Sequence, residues 1–499
     1  MFIELKKPLL LKEFPPQFDG EFLQKNGILF VEYYGDDFIL IPNNNSGKAL
    51  AYLSKYDFTY KIAKTDEDTY EDLYTTTLDI KKENQKDTDF EEDKEGEGEL
   101  IDFLKSNQDL LKSEESAPVI QFVNRVFYQA IKKGASDIHV EPGRDSSEIR
   151  FRIDGVLQKY IEVPKSAIGG VINRLKVISH LDISEKRIPQ DGRTQITIAN
   201  KKLDIRVSSL PVHFGERIVL RILMQSQKIP TLSGLGLTSD IREGLEEAIK
   251  NPYGILLVTG PTGSGKSTTL YSILQSIKNP ETNIMTIEDP VEYNLDGISQ
   301  TQVNVKANLT FASGLRSILR QDPDVILIGE MRDSETSQIA IQSSLTGHLV
   351  FSTLHTNDAA SSITRLVDMG IERFLISSTL IGVLAQRLIR VLCDECKKEI
   401  SIDKFSAKLL GLPEGDIVYE SNGCSVCNGS GFKGRIAVGE YLKIDENIKD
   451  MINDGVNESK IREYAMKHNG MRSLKDNAIL LLKDGKTTLN EVIKVSIDK

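Results

Sequence analysis

The stretch "ILLVTGPTGSGKSTTLYSIL", residues 255–274, decides the fold, because it places a glycine-rich loop between an apolar strand and a helix. Its core is Gly260-x-x-x-x-Gly265-Lys266-Ser267. Glycines let the backbone turn so that its N–H groups face phosphate, and the start of the following helix adds a favourable field. This motif also occurs by chance in loops, but the strand before it and the helix after it favour a phosphate-binding loop.

The side chains of this loop have separate expected roles. Lys266 is expected to reach the β- and γ-phosphates of a nucleotide, and the hydroxyl of Ser267 is expected to hold Mg²⁺. The predicted nucleotide-binding residues are Gly260, Pro261, Thr262, Gly263, Ser264, Gly265, Lys266, Ser267 and Thr268.

A second predicted strand supplies a carboxylate. The segment "DPDVILIGEMRD", residues 322–333, reads as a buried strand followed by Gly329 and Glu330. Many enzymes with a phosphate-binding loop have an aspartate where this chain has Gly329. Glu330 is therefore the candidate that polarises the attacking water or organises Mg²⁺ through water. The alternative is a surface ion pair between Glu330 and Arg332, which is less favoured for a carboxylate at the C-terminal end of a strand.

Another apolar strand, in "IMTIEDPVEY" at residues 284–293, ends in the acidic residues Glu288, Asp289 and Glu292. Such clusters are often simply solvated. The topology of a parallel sheet would nevertheless bring them to the same edge as Glu330. Glu288 is therefore the second candidate for the catalytic base.

Two of the six histidines of the chain lie seven positions apart in "TGHLVFSTLHTND", residues 346–358. The β-branched and aromatic residues between them favour a strand. An odd separation along a strand puts His348 and His355 on opposite faces. The two imidazoles are therefore expected to have different roles, with one of them facing a ligand.

The composition of the 499 residues excludes several classes of protein. A net charge of −11 and a pI near 5.3 argue against a protein held on DNA or RNA by bulk electrostatics. No apolar run approaches the roughly 20 residues that a membrane span requires. The N-terminus has too short an apolar core and too many charges for a secretory signal. We therefore expect a cytoplasmic protein that meets a membrane only through partners.

The character of the chain changes several times along its length, which indicates a series of domains and linkers. The predicted units are an N-terminal α/β module at 1–60, an acidic flexible linker at 61–115, an α+β domain at 116–223, a hinge at 224–237 and an α/β domain at 238–499. Strands alternate with helices in the last unit, as in a parallel sheet covered by helices. A short helix is expected at 100–111 within the linker, and helices are expected at 446–499.

The four cysteines form two C-x-x-C pairs, Cys393 with Cys396 and Cys424 with Cys427, separated by 27 residues. Four thiolates in two such pairs suit tetrahedral Zn²⁺. The alternatives are two redox dithiols or four unrelated thiols. The pairing favours a zinc-binding subdomain at about 390–435.

Together these segments resemble the secretion ATPases that drive type II secretion and type IV pilus assembly. The resemblance covers roughly residues 116–445. It rests on "GPTGSGKST", "TIEDPVE", "ILRQDPDVILIGEMRD" and "TGHLVFSTLHTND", and on "GASDIHVEP", "RFRIDGVL", "RIPQDGR", "DIRVSSLP" and "GERIVLRIL" in the preceding domain. It implies a RecA-like motor domain that hydrolyses ATP, preceded by a PAS-like α+β domain.

The resemblance also implies roles for particular residues. The histidine segment of the family lies near the γ-phosphate, which assigns His348 and His355, with only one imidazole close to phosphate. Arg206 and Arg221 are the arginines that reach across to the nucleotide. A planar, permanently charged donor suits the charge of a transferring phosphoryl group. Arg152 and Arg217 are weaker candidates.

The resemblance further implies a homohexameric ring whose two domains open and close with ATP turnover. In family position the N-terminal module would dock on the cytoplasmic domain of an inner-membrane partner, and the motor would act through an inner-membrane platform protein. The zinc subdomain and the N-terminal module point to assembly rather than pilus retraction. Type II secretion, type IV pilus assembly and DNA uptake all use such a motor, so the choice among them stays open.

Two further alternatives belong to other classes. A nucleic-acid translocase would use the same phosphate-binding loop, but the acidic charge and the lack of a basic, aromatic-rich stretch count against it. A zinc-stabilised scaffold with a vestigial ATPase is disfavoured by the intact Lys266, Ser267 and Glu330.

Overall fold

The protein is described here by a computed structural model. The residues it describes are 3–4, 10–12, 28–33, 36–41, 61–64, 117–198, 201–224 and 229–497. Most of the predicted acidic linker, the short helix expected at 100–111 and part of the expected hinge lie outside these residues. Among the described helices, none combines the length and the apolarity needed to cross a bilayer.

The N-terminal unit contains one small sheet. Its described strands are β1 Ile3–Glu4, β2 Leu10–Lys12, β3 Leu29–Tyr33, β4 Asp36–Ile41 and β5 Lys61–Lys64. The sheet order is β1-β5-β4-β3-β2, with β5 parallel to both β1 and β4. Because β5 completes this sheet, the module extends past the boundary that we predicted at residue 60.

The next part of the chain is an antiparallel sheet with two helices. Its elements are α1 Ala117–Lys132, β6 Ala135–Glu141, β7 Ser146–Ile153, β8 Val156–Pro164, α2 Lys165–Ile178, β9 Gln190–Ile198, β10 Lys201–Val212 and β11 Gly215–Met224. The sheet order is β8-β7-β6-β11-β10-β9. Side chains alternate between faces along a strand, so one face carries buried residues such as Ile138, Phe151 and Leu220. Val126 of α1 and Val171 of α2 line the same apolar interior.

The opposite face of this sheet is polar, and its charged residues lie in register across neighbouring strands. Arg152 pairs with Asp137, Asp137 with Arg221, Arg221 with Arg206, and Arg206 with Arg193. Cross-strand partners share a face of the sheet. The five side chains therefore form one row, which we call the arginine row.

The C-terminal part of the chain is an α/β domain with an insertion. Its strands are β12 Gly254–Thr259, β13 Ile284–Glu288, β14 Ser299–Gln302, β15 Val325–Ile328, β16 Leu349–Leu354, β17 Leu380–Leu392, β18 Lys398–Ser401, β19 Ile417–Glu420 and β20 Phe432–Lys443. Its helices are α3 Ser239–Ala248, α4 Lys266–Ile277, α5 Phe311–Ile318, α6 Ser334–Leu345, α7 Ser361–Asp368, α8 Arg373–Thr379, α9 Lys404–Leu410, α10 Glu446–Asn453, α11 Glu458–His468, α12 Leu474–Lys483 and α13 Leu489–Ile497. Short 3₁₀ turns lie at Leu232–Leu235, Val305–Ala307 and Ser425–Cys427.

The main sheet of this domain has the order β14-β13-β15-β16-β12-β17-β20, and β20 is its antiparallel edge strand. Successive residues of β12 face different cores: Ile255 and Leu257 face one, whereas Leu256 and Val258 face the other. Burial on both faces explains the continuous apolar runs of the sequence. Parallel strands end at one edge, so the segments after β12, β13, β15 and β16 converge there. The predicted α/β fold is confirmed.

A buried ion pair holds the antiparallel sheet to its second helix. The Lys176 and Glu216 side chains, 0% and 5% exposed, are in contact. Lys176 Nζ also donates to the backbone carbonyl of Glu185 at 2.8 Å, and Ser209 donates its hydroxyl proton to Glu216 at 3.1 Å. The pair therefore links α2, the loop before β9 and the β10–β11 hairpin.

We predict that Glu216→Gln lowers the free energy of unfolding by about 3–5 kcal/mol, because it leaves the buried Lys176 without a counter-charge. The double variant Lys176→Met/Glu216→Gln should recover most of that loss. Glu148→Gln, which breaks an exposed pair with Lys159, should change stability little. Urea denaturation of the native protein and the three variants checks this, and a double variant no more stable than Glu216→Gln would contradict it.

Candidate active site

The glycine loop lies where the sequence places it, between β12 and α4. Gly260 and Gly263 have φ of 145° and 78°, and Gly265, the residue before α4, has φ of 85°. A Cβ added at Gly260 would lie 2.3 Å from the backbone oxygen of Gln386. The first glycine is therefore required both for its conformation and for its close approach to β17.

Lys266 opens α4 and turns back over the loop. Its Nζ donates to the backbone carbonyls of Gly260 at 2.8 Å and Pro261 at 3.1 Å. Burial lowers the pKa of Lys266 to about 8, with Arg387 acting in the same direction and Glu330 opposing it. A phosphate that replaced these two carbonyls would supply the negative charge that restores the ammonium form.

Glu330 follows β15 and lies beside Lys266 and His355. The residue is 9% exposed, and its Oε2 lies 3.5 Å from His355 Nε2. Its Oε1 contacts Arg332 Nε at 2.5 Å, so the ion pair that we considered as an alternative is present. The Arg332 side chain is 72% exposed, however, and the carboxylate remains at the strand edge next to the glycine loop.

The two histidines lie at opposite ends of β16. His355 follows the strand at the edge that carries Glu330, and its pKa is lowered by burial and by the nearby Lys266. His348 precedes the strand, where its Nδ1 lies 2.8 Å from the carbonyl oxygen of Ser343. At about 3.3 Å per residue, the strand holds the two imidazoles roughly 20 Å apart. The structure therefore brings His355, and not His348, to the loop.

Glu288 ends β13 and is 4% exposed. Its Oε1 accepts hydrogen bonds from Thr286 at 2.5 Å and Gln300 at 3.2 Å, and its Oε2 accepts one from Tyr271. The Tyr271 hydroxyl in turn accepts a hydrogen bond from the backbone N–H of Glu292 at 3.3 Å. The three neutral side chains around Glu288 hold it as a structural anchor for the segment after β13, whereas the partners of Glu330 are charged or titratable groups beside the glycine loop.

Sequence reasoning missed Gln386, a residue of β17 that is 1% exposed. Its Nε2 donates to the carbonyl of Ser264 at 2.8 Å, and its Oε1 accepts from Thr269 at 2.7 Å. The only available signal was a polar pair, Gln386 and Arg387, inside the apolar run "LIGVLAQRLI". Arg387 also lies near the loop, since its Nη1 would be 3.3 Å from a Cβ at Gly260.

Arg206 and Arg221 face the motor domain of the same chain. Arg206 Nη2 donates to the carbonyl of Val291 at 3.4 Å and lies 3.9 Å from Glu292 Oε2. A cleft of about 600 Å³ separates the two domains here. It is lined by Asp191, Gly192, Arg193, Arg206, Val207, Ser208, Val219, Arg221, Pro290 and Gln302.

The two weaker arginine candidates are held in ion pairs on the polar face of the antiparallel sheet. Arg217 Nη2 lies 2.7 Å from Glu141 Oε1, and Arg152 Nε lies 3.8 Å from Asp137 Oδ2. Arg221 is also ion-paired, to Asp137, but Arg206 and Arg221 line the cleft, whereas Arg152 and Arg217 are not among its lining residues.

The four cysteines meet although they come from two distant segments. Their Sγ atoms all lie within 4.8 Å of one another. The separations of Cys393 from Cys424, Cys396 from Cys427 and Cys424 from Cys427 are 3.8, 3.8 and 3.7 Å. A tetrahedral ion with metal–sulfur bonds of about 2.3 Å would set its ligands about 3.8 Å apart. The cluster could therefore hold one metal ion.

Comparison with known proteins agrees with this geometry. The family model described as "Type II/IV secretion system protein" matches residues 112–494. The chain belongs to this family. The family and the ATP hydrolase class predicted from the sequence are therefore confirmed.

Two curated relatives and one solved structure illustrate the match. The type II secretion system ATPase E of Vibrio cholerae is 47% identical over 399 residues, which cover 80% of this chain and 79% of the relative. The type IV pilus assembly ATPase PilB of Thermus thermophilus is 47% identical over 392 residues, 78% of this chain but only 44% of the relative. The structure of the Legionella pneumophila ATPase DotB shares the fold, with a TM-score of 0.56 and 24% identity over 76% of this chain and 96% of that one.

We predict that Gln386→Ala weakens ATP binding about tenfold, because the Ser264 carbonyl and the Thr269 hydroxyl lose their partner and the loop is no longer pinned. Titration with a fluorescent ATP analogue checks this. Gln342→Ala, at an exposed position of α6, is the matched control and should bind normally. Unchanged ATP affinity in Gln386→Ala would show that the glycine loop keeps its shape without the Gln386 side chain.

Proposed function

We propose that this protein is the cytoplasmic motor of a type II secretion system and hydrolyses ATP to assemble a pseudopilus. The observation that carries this proposal is the convergence of Lys266, Glu330 and His355 at one strand edge of a chain that belongs to the secretion ATPase family. The match to a type II ATPase over most of both chains favours this system. A type IV pilus or DNA-uptake motor is the alternative, supported by the identity to a pilus assembly ATPase.

In the proposed reaction the loop binds the phosphates and a neighbouring carboxylate orients water. The loop N–H groups and Lys266 hold the β- and γ-phosphates. The hydroxyl of Ser267, an exposed residue, would hold Mg²⁺, which would offset the negative charge of the phosphates. Glu330 accepts the proton of the attacking water or fixes its position. His355, within 3.5 Å of Glu330, would register whether the γ-phosphate is present.

The arginines of the preceding domain complete the proposed site. Arg206 and Arg221 are neighbours in the arginine row and line the cleft shared with Pro290 and Gln302. The contact of Arg206 with Val291 lies within one chain. Closure of this cleft around the nucleotide would bring the guanidinium groups towards the phosphates, and we propose that this closure produces the mechanical step.

Assembly and location follow from the proposed role. The motor would act as a homohexamer at the inner membrane, held there through the N-terminal module and the cytoplasmic domain of a membrane partner. An inner-membrane platform protein would receive the motion. No direct nucleic-acid partner is proposed.

We propose that the four cysteines bind one Zn²⁺. The sulfur separations fit a tetrahedral site, and the Cys427 sulfur accepts hydrogen bonds from the backbone N–H groups of Cys424 and Gly431, both at 3.1 Å. Burial alone would raise the pKa of Cys427, but these hydrogen bonds, together with those from the Cys424 and Cys396 thiols, outweigh it and lower the pKa to about 6. The ion would be structural, because four protein ligands leave no open position for a reactant.

We predict that Glu330→Gln retains ATP binding but lowers kcat by about 10²–10⁴-fold, because an amide cannot accept the proton of water. Glu288→Gln should lose much less, since its oxygens are occupied by Tyr271, Thr286 and Gln300. Steady-state phosphate release and ATP binding are measured for both, with Lys266→Ala as the binding-deficient reference. A native rate in Glu330→Gln would make the assignment wrong and return Glu288 to the role.

Purified, reduced protein is predicted to contain about one Zn²⁺ per chain, which metal analysis measures directly. Cys396→Ser should lose the metal and increase proteolytic cleavage within 393–435. ATP affinity should stay nearly native, because the segment is an insertion between β17 and β20. Fresh protein without zinc would overturn the metal assignment.

A further inference from the structure

Asp137 occupies an unusual place in the arginine row. It lies directly between Arg152 of β7 and Arg221 of β11, its cross-strand partners on either side. The residue is 6% exposed, whereas the Arg221 side chain is 60% exposed. The buried Asp137 carboxylate therefore contacts the exposed Arg221 guanidinium group on the side that faces the protein interior and can fix its orientation.

The contact is made to a particular edge of the guanidinium group. Asp137 Oδ1 accepts a hydrogen bond from Arg221 Nε at 3.1 Å. Its Oδ2 accepts one from the Ser136 hydroxyl at 2.8 Å and lies 3.8 Å from Arg152 Nε. Four of the five N–H donors of an arginine are on its terminal nitrogens, so binding at Nε leaves those donors for an anion.

A second buried carboxylate, outside the row but on the same face of the sheet, pairs with Arg193 at the end of the row. Asp204 is 4% exposed and accepts hydrogen bonds from Arg193 Nε at 2.7 Å and from Arg193 Nη2. Arg193 and Arg221 flank Arg206 from the two neighbouring strands. Directly opposed residues lie about 5 Å apart, so three adjacent guanidinium groups repel one another unless carboxylates offset their charge.

From this geometry we infer that Asp137 is a positioning residue for Arg221. It fixes the side chain by its Nε edge and directs the terminal nitrogens into the cleft that the row shares with Pro290 and Gln302. The inference rests on the proposed function, in which Arg221 meets the nucleotide phosphates. Asp204 instead holds Arg193 by both Nε and Nη2, while Arg206, which lies between Arg193 and Arg221, contacts Val291 and Glu292 across the cleft.

Asp137→Asn tests the inference, because asparagine keeps the shape of the side chain but loses the charge that holds Arg221. We expect kcat to fall about 10- to 100-fold with little change in KM for ATP, as for a misplaced catalytic group. The matched control is Glu141→Gln, a carboxylate four residues along the same strand and on the same face that pairs with Arg150 and Arg217. Its kcat should stay near native.

A double-variant cycle separates positioning of Arg221 from a general structural role. If Asp137 acts through Arg221, then Arg221→Ala and Asp137→Asn/Arg221→Ala should have the same kcat. A further loss in the double variant, equal to that of Asp137→Asn alone, would overturn the inference while leaving the proposed role of Arg221 intact. A native rate in Arg221→Ala would instead overturn that role and the inference with it.

Discussion

The close contact between the glycine loop and β17 is the constraint on which the rest of the structure depends. A Cβ at Gly260 or Gly265 would lie 2.3 or 2.9 Å from atoms of Gln386, so side chains at these positions would separate the loop from its support. The contact fixes where α4 begins and therefore where Lys266 lies. It also places β17 beside β12 in the main sheet, and β17 in turn pairs with the edge strand β20.

The strand that pins the loop also carries the cysteine insertion. β17 ends at Leu392, one residue before the first cysteine, and the chain returns to the sheet as β20 after the last. The loop between α12 and α13 contacts this junction, since the Leu392 N–H donates to the carbonyl of Lys486 at 2.8 Å. The insertion is thus held at both ends by strands of the main sheet and also by the C-terminal part of the chain. The glycine loop contacts β17 at an earlier position in the strand.

How much of the site could be predicted depended on how local its residues are in the sequence. The loop from Gly260 to Ser267 and the cysteine pairs are short motifs whose spacing alone implies their geometry. The contacts of Gln386 and Asp137 depend on which strands become neighbours, over separations of 122 and 84 residues. The periodicity of a segment does not reveal which strand it will pair with. For the same reason, the addition of β5 to the N-terminal sheet could not be predicted from the sequence.

The histidines show the same limit at shorter range. The residue types between them correctly indicated a strand. The two histidines are separated because they lie at opposite ends of that strand, and not because they lie on opposite faces of it. β16 begins after His348 and stops before His355, so the strand separates the two residues along its length. Only the sheet topology, in which the ends of β12, β15 and β16 converge, identifies His355 as the one beside Glu330.

The central claim is that one chain supplies both the phosphate-binding loop and the arginines that complete its site. Mixing Arg206→Ala chains with Lys266→Ala chains in one ring tests it most directly, with ATPase rate as the readout and labelled subunits to confirm exchange. If the arginines act within the chain, every site in the mixed ring lacks either Lys266 or Arg206, and no recovery of activity is expected. If the arginines act between chains, some interfaces regain an intact Lys266 and an intact Arg206. Appreciable recovery of ATPase activity on mixing would contradict the account.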